Sequence, residues 1–189
     1  MSHITLFYLC SISTVLFSQV SSLQEDYYWR EYTGSIPGDA VVGGKDINGH
    51  DIHMGQAYIR NHGLIVVQIY PGVKEVHAAI AGIKTVSTYV KILCGPQENF
   101  YWLPANATDL HLSLLDKHAV IGGHNDGYGQ INIGRIKHEG ETKIGKINSW
   151  AVGGAYFYFN NKGKEGVNVK SYEILIYRNA DIDVRIKSN

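Results

Sequence analysis

The chain has 189 residues, and its 17 Lys and Arg balance its 17 Asp and Glu. A neutral chain with no basic stripe and no polybasic cluster offers no electrostatic footprint for nucleic acid or for an anionic membrane surface. Glycine is frequent at 21 residues, Val, Ile, Tyr and Thr are abundant, and long helical periodicity is absent, a pattern that predicts an all-β protein of short antiparallel strands.

In chain order, Ile4 to Phe17 is apolar and uncharged, and Val20 and Ser22 suit the −3 and −1 positions of a signal-peptidase site. The run is short for a ~30 Å hydrocarbon core. Residues 1–22 therefore read as a cleaved secretory signal, and the mature protein is expected to be secreted and extracellular. Cys10 leaves with the signal, so Cys94 is the single mature cysteine and no internal disulfide framework forms. The fold must then stand on its apolar core. In Lys91-Ile92-Leu93-Cys94 the thiol reads as a small buried hydrophobe at a strand end, with an intermolecular disulfide as the sharper alternative.

Ala40 to Gly55 and Ala119 to Gly134 spell nearly the same sixteen-residue phrase, AVVGGKDINGHDIHMG and AVIGGHNDGYGQINIG, 79 positions apart. Each copy reads as a hairpin. An apolar arm precedes two glycines, and Asn48-Gly49 or Asp126-Gly127 supplies the turn. The returning arm alternates, with isoleucines on one face and polar residues on the other in Gln130 to Ile136. Tyr27-Tyr28-Trp29 and Phe100-Tyr101-Trp102 precede the hairpins, and Lys91-Ile92-Leu93 and Glu173-Ile174-Leu175 close the units. The recurrence of Trp29 and Trp102 points to core or interface roles. The chain divides into repeats at 27–95 and 100–177, a linker at 96–99 and a tail at 178–189. Two copies are too few for an open solenoid, so they are expected to pack face to face with pseudo-twofold symmetry. Asp109 to Lys117, short and leucine-rich, is the one helix candidate. Asn106-Ala107-Thr108 is a glycosylation sequon in a Pro-flanked stretch, which would make the exported chain a glycoprotein.

The order Trp, Gly-x-x-Pro, Ala-Val-x-Gly-Gly, a Gly-containing turn, Ile-x-x-Gly-Arg, His-x-Gly, Gly-Lys-Ile and Tyr-Glu-Ile-Leu resembles the DM-nine (DM9) repeat family, whose module also occurs in the natterins. The second copy carries Arg135, His138, Gly140, Gly145-Lys146-Ile147 and Tyr172-Glu173-Ile174-Leu175; the first carries Trp29, Gly34, Pro37 and Gly43-Gly44. The resemblance implies a lectin-like carbohydrate-binding protein of innate immunity, since some members bind mannose. It also implies sugar ligation by an Asp of the Gly-Gly hairpin and a Lys of the Gly-Lys motif. The Asp position falls on Asp46 in the first copy and on Asn125 in the second, with Asp126 displaced by one residue. The Lys position falls on Lys146 in the second copy and on Val67 or Gln68 in the first.

The chemistry stands beside the resemblance. A carboxylate accepts from two vicinal hydroxyls, an ammonium donates to the oxygens between them, and an aromatic ring covers the apolar face of a sugar. Asn125, Asp126, Glu141 and Lys146 with Tyr128 or Trp150 compose such a set, and two sites per chain or a homodimer would add avidity. Each residue also has a plainer role: Asp46 and Asp126 as turn formers capping local amides, Lys146 as a solvated strand residue. His50 and His53, three apart in an expected strand, point to opposite faces and cannot share a metal, and no cofactor motif occurs. With no Gly-x-Ser-x-Gly or His-Glu-x-x-His, the chain is expected not to be an enzyme. Its expected partner is a carbohydrate or glycoconjugate on a microbial or cell surface, without nucleic acid and without membrane insertion. The alternatives are a secreted structural or interaction protein with a degenerate sugar site, or a natterin-like, toxin-related protein.

Overall fold

The computed structural model describes residues 27–178; the signal expected over 1–22 and the tail beyond Arg178 lie outside the described residues. The first half of the chain forms β1 (Tyr28–Glu31), β2 (Val42–Lys45), β3 (Asp51–Ile59), β4 (Gly63–Ile69), β5 (Val76–Ala79), β6 (Ile83–Val86) and β7 (Val90–Cys94). A 3-10 turn (Gln97–Asn99) leads into β8 (Phe100–Asn106), a single helical turn α1 (Leu110–Ser113), and β9 (His118–Ala119). Then follow β10 (Ile121–Asn125), β11 (Gly129–His138), β12 (Glu141–Ile147), β13 (Phe157–Asn161), β14 (Lys164–Val169) and β15 (Ser171–Tyr177). The fold is all-β, with every pairing antiparallel in one branched sheet.

The pairings of the first half recur in the second. β3 pairs with β2, β4 and β7, while β1 joins β7 and β5 bridges β4 and β6. Likewise β11 pairs with β10, β12 and β15, while β8 joins β15 and β13 bridges β12 and β14. The registers agree to the residue. Met54 faces Gln68 and Gly55 faces Val67, just as Ile133 faces Lys146 and Gly134 faces Gly145. Both hairpins of the repeated phrase carry a bulge, in which Gly43 and Gly122 are the extra residues.

The two glycines of each phrase set how closely the halves approach. A Cβ on Gly43 would stand 2.4 Å from Ile144 Cδ1, and one on Gly122 would stand 2.4 Å from Val66 Cγ2. A Cβ on Gly44 would meet Thr142 Oγ1 at 2.5 Å, and one on Gly123 would meet the Leu64 carbonyl oxygen at 2.0 Å. The contacts come in matched pairs because Ile144 and Val66, and Thr142 and Leu64, hold the same register in β12 and β4. Where they meet, β10 pairs with β4 and the Lys45 amide donates to Thr142 Oγ1 at 3.3 Å. The large core between the halves holds Met54, Val66, Leu93, Ile133, Ile144 and Leu175, and Tyr27 and Phe100 meet edge to face at its rim.

Three expectations change. The helix expected over Asp109–Lys117 is the four-residue α1: Leu110 is buried, but Leu112 and Leu115 face solvent, so no apolar stripe holds further turns. The polar face of β11 is not evenly solvated: Gln130 is exposed, but Asn132 is not. Asn132 is 1% exposed, donating to the Val120 carbonyl at 2.8 Å and accepting from Gln130 Nε2 at 3.3 Å. His50 lies in the turn before β3 rather than in the strand, so its distance from buried His53 comes from the turn as well as from strand alternation. Cys94 is buried at the end of β7, where desolvation pushes its thiol up to about 11. No helix among the described residues is long and apolar enough to cross a membrane.

Gly123→Ala places its methyl against a backbone oxygen that has no rotamer to escape through, at φ +149°. Loss of about 3 kcal/mol or more is expected in urea unfolding followed by tryptophan fluorescence. Gly49→Ala, at φ +84° in open space, is expected to cost only about 1–2 kcal/mol. Equal costs would mean that the inter-half approach is not tight.

Candidate functional site

The Gly-Gly hairpins position the aspartates. Asp46 closes its own turn: Oδ1 accepts from the amides of Asn48 and His50, both at 2.8 Å, and Oδ2 lies 3.2 Å from His50 Nδ1. Partial burial pushes its carboxyl up, but the bonds from the His50 amide, the His50 ring and the Asn48 amide outweigh this and hold it below the usual carboxylate range. Asn125 ends β10 and is nearly buried at 8% exposure. Asp126 is exposed, with its amide donating to the His62 carbonyl at 3.0 Å and Oδ1 3.2 Å from His124 Nε2. Beside this turn Tyr128 and Trp150 stack on each other with centroids 4.9 Å apart.

Lys146 is not a solvated strand residue. Although it lies on a β-strand, β13 and β14 cover it and leave it 3% exposed. Its Nζ lies 3.9 Å from Glu165 Oε1 and 5.0 Å from the centre of the Tyr158 ring. Burial pushes its ammonium down to about 8, against the opposing pull of Glu165. The register settles its counterpart in the first half as Gln68, not Val67. Among the described residues Lys146 shares no hydrogen bond, ion pair or hollow with Asp46, Asn125, Asp126 or Glu141. Glu141 instead pairs with Lys143 at 2.7 Å, with both side chains largely buried. Asn106, at the end of β8, accepts from the Thr108 amide and hydroxyl and reaches Ser171 Oγ.

A hollow that the sequence did not reveal lies between the halves. Gln68, Tyr70 and His77 line it from the first half, and Lys143, Asn160 and Lys162 from the second, around a volume of about 230 Å³. Gln68 Oε1 accepts from the Ile144 amide at 2.8 Å, which leaves Nε2 buried without a partner. Burial raises the Tyr70 hydroxyl above the usual tyrosine value, the charges of Glu141 and Asp46 raise it further, and the neighbouring Gln68 side chain opposes the rise. The arrangement presents an unpaired amide and two ammonium groups, Lys143 paired with Glu141 and Lys162 with Glu139 at 2.5 Å, whose remaining N–H bonds can meet hydroxyl or carboxylate oxygens. No sequence period marks it, because its two walls come from separate units. Among the described residues, no group of three His, Cys, Asp or Glu side chains could hold a metal ion.

The displaced titration of Lys146 sets a pH test. Its folded-state value lies below the unfolded value of about 10.4, so between about pH 8 and pH 10.4 the unfolded chain binds the additional proton. Stability relative to Lys146→Met is therefore expected to rise through that window, by up to about 3 kcal/mol. Urea unfolding at pH 7 and pH 10 reads the difference, and an unchanged gap would mean that the ammonium is well solvated.

No curated protein matches the chain. The model of the DM9 repeat matches residues 61–165, from the turn after β3 to the start of β14. The match covers more than half of the 189 residues and takes in both walls of the inter-half hollow, and the chain belongs to the DM9 repeat family.

Proposed function

We propose that the protein is a secreted, lectin-like carbohydrate-binding protein that recognises a hexose, such as mannose, on a microbial or cell surface, in innate immunity or host–microbe contact. It acts by binding and not by catalysis. The observation that carries this reading is the hollow between the halves, with the unpaired Gln68 amide, Tyr70 and the Lys143 and Lys162 ammonium groups around one small volume. A hollow of about 230 Å³ is below the roughly 300–1,000 Å³ of drug-sized sites and suits a single ring. Membership of the DM9 repeat family supports the same reading, because mannose-binding lectins occur among proteins with this module. Lys146 contributes from within the second half, where it holds Tyr158 and Glu165 in place. One such shallow site binds weakly, so useful avidity requires a homodimer or a clustered glycan surface. A glycan on Asn106 would sit at the far end of β8.

A second reading, a secreted interaction protein with a decayed sugar site, draws on Gln68 standing where the second half has Lys146. A glycan array separates the two. Wild type is expected to bind mannose-terminated glycans, and Lys162→Gln to weaken binding at least tenfold, about 1.4 kcal/mol, with melting temperature preserved, while Lys143→Met, which strips buried Glu141 of its partner, weakens binding and lowers the melting temperature as well. No glycan binding by wild type, or variants that bind equally well, would sink the proposal and leave the second reading.

A further inference from the structure

The two halves treat one equivalent position differently. In the second half Arg135 lies beside Glu173 on the strand ladder and grips it through Nε at 2.7 Å and Nη2 at 3.3 Å. Its guanidinium lies over the Trp102 ring, 4.4 Å from the centre, and donates to the carbonyl of Gly43, the extra residue of the first hairpin's bulge, at 2.9 Å. The rim of the core is closed there by a planar group stacked on an indole.

In the first half the same register places Gln56 opposite Lys91, on the face that carries Trp29. Gln56 is too short to reach over the indole, and the slot stands open. The resulting hollow, about 580 Å³, is walled by Tyr27, Trp29, Leu64, Ile121 and Gln130. Gln56 lines it and is only 5% exposed.

We propose that this slot is a second binding site that receives the acetamido group of an N-acetylated amino sugar, a claim that rests on the reading of the protein as a carbohydrate binder. The second half shows which shape fits: a planar group laid flat on the tryptophan. The replacement of Glu173 by Lys91, which itself faces Glu31 across the ladder, takes the carboxylate away from the position opposite Gln56, so a guanidinium or ammonium laid on the indole would lose its direct partner. An acetamido group is planar and neutral. Its carbonyl accepts from the Gln56 amide, its N–H donates toward the Gly122 bulge as Arg135 donates to Gly43, and its methyl meets the apolar walls. The sugar ring then extends toward Gln130.

Isotope-labelled protein titrated with N-acetylglucosamine, glucose or glucosamine tests the site by NMR. N-acetylglucosamine is expected to shift the Gln56 side-chain amide and the Trp29 indole signals saturably, with glucose and glucosamine at least tenfold weaker. The double variant Gln56→Arg, Lys91→Glu rebuilds the arrangement of the second half and is expected to abolish these shifts while keeping the backbone spectrum. Lys143→Met is expected to leave them intact. Equal shifts with glucose, or shifts that survive the double variant, overturn the proposal. Silent Gln56 and Trp29 signals in a protein whose array binding depends on Lys143 overturn this site and leave the first reading standing. Shifts at Gln56 and Trp29 in a protein whose array binding ignores Lys143 support this site and overturn the first.

Discussion

The architecture depends on the absence of four side chains. Gly43, Gly44, Gly122 and Gly123 let β2 press on β12 and β10 press on β4 at distances where a Cβ would stand 2.0–2.5 Å from the atom it met. Interiors pack near crystal density, so an excess of this size must displace its neighbours, cheaply only where it meets the far end of a flexible side chain such as Ile144 Cδ1. Three of the four approaches end on side-chain atoms, and the fourth ends on the Leu64 carbonyl, which is fixed by its ladder. The separation of the halves is thereby set, and with it every feature that lies between them: the central core, the hollow around Gln68, and the two rims where Trp29 and Trp102 stand.

This constraint explains what the sequence made legible and what it concealed. The repeated phrase, the turn dipeptides and the closing Ile-Leu strands describe interactions within a unit, and a period of two along a strand is sufficient to read them. The pairings around β3 and β11 follow from those signals. The glycine pairs are also visible in the sequence, yet there they look like parts of a turn. Their role as contact surfaces depends on Ile144, Thr142, Val66 and Leu64, which lie in the other unit. Asn132 and Lys146 misled for the same reason: alternation marks a polar residue as outward-facing, but in this fold both faces of β11 and β12 are covered where these two residues lie. The leucines of Asp109 to Lys117 suggested a longer helix because composition does not reveal that only one of them finds a core. Gln68 could be aligned with Lys146 only through the register, since the insertion between them has no unique place in the sequence.

The family assignment and the geometry bear on different levels. The match over residues 61–165 establishes membership, and it spans strands from both halves. Asp46 is engaged by its own turn and Lys146 lies beneath Tyr158, so these two side chains serve the scaffold of their own units. A buried amide with unmet hydrogen-bonding capacity lies elsewhere, at Gln68, in a hollow bordered by both halves. Unmet capacity in a buried amide is a cost that folding alone does not recover, and it is recovered when a ligand supplies the missing atom.

Duplication with a shared backbone allows one half to keep a device that the other gives up. In the second half the Arg135–Glu173 pair is partly shielded, doubly hydrogen-bonded and stacked on Trp102, a combination worth more than an exposed ion pair and one that ties β11 to the first half through Gly43. In the first half Gln56 removes the cation of that pair, Lys91 reverses the sign of its partner, and the tie across the halves is lost. The backbone keeps its register there, because the glycine contacts and the core hold it without the ion pair. A rim freed of its stapling residue on a scaffold that no longer needs it is the condition under which a stacking surface can turn from internal packing to the binding of an external group.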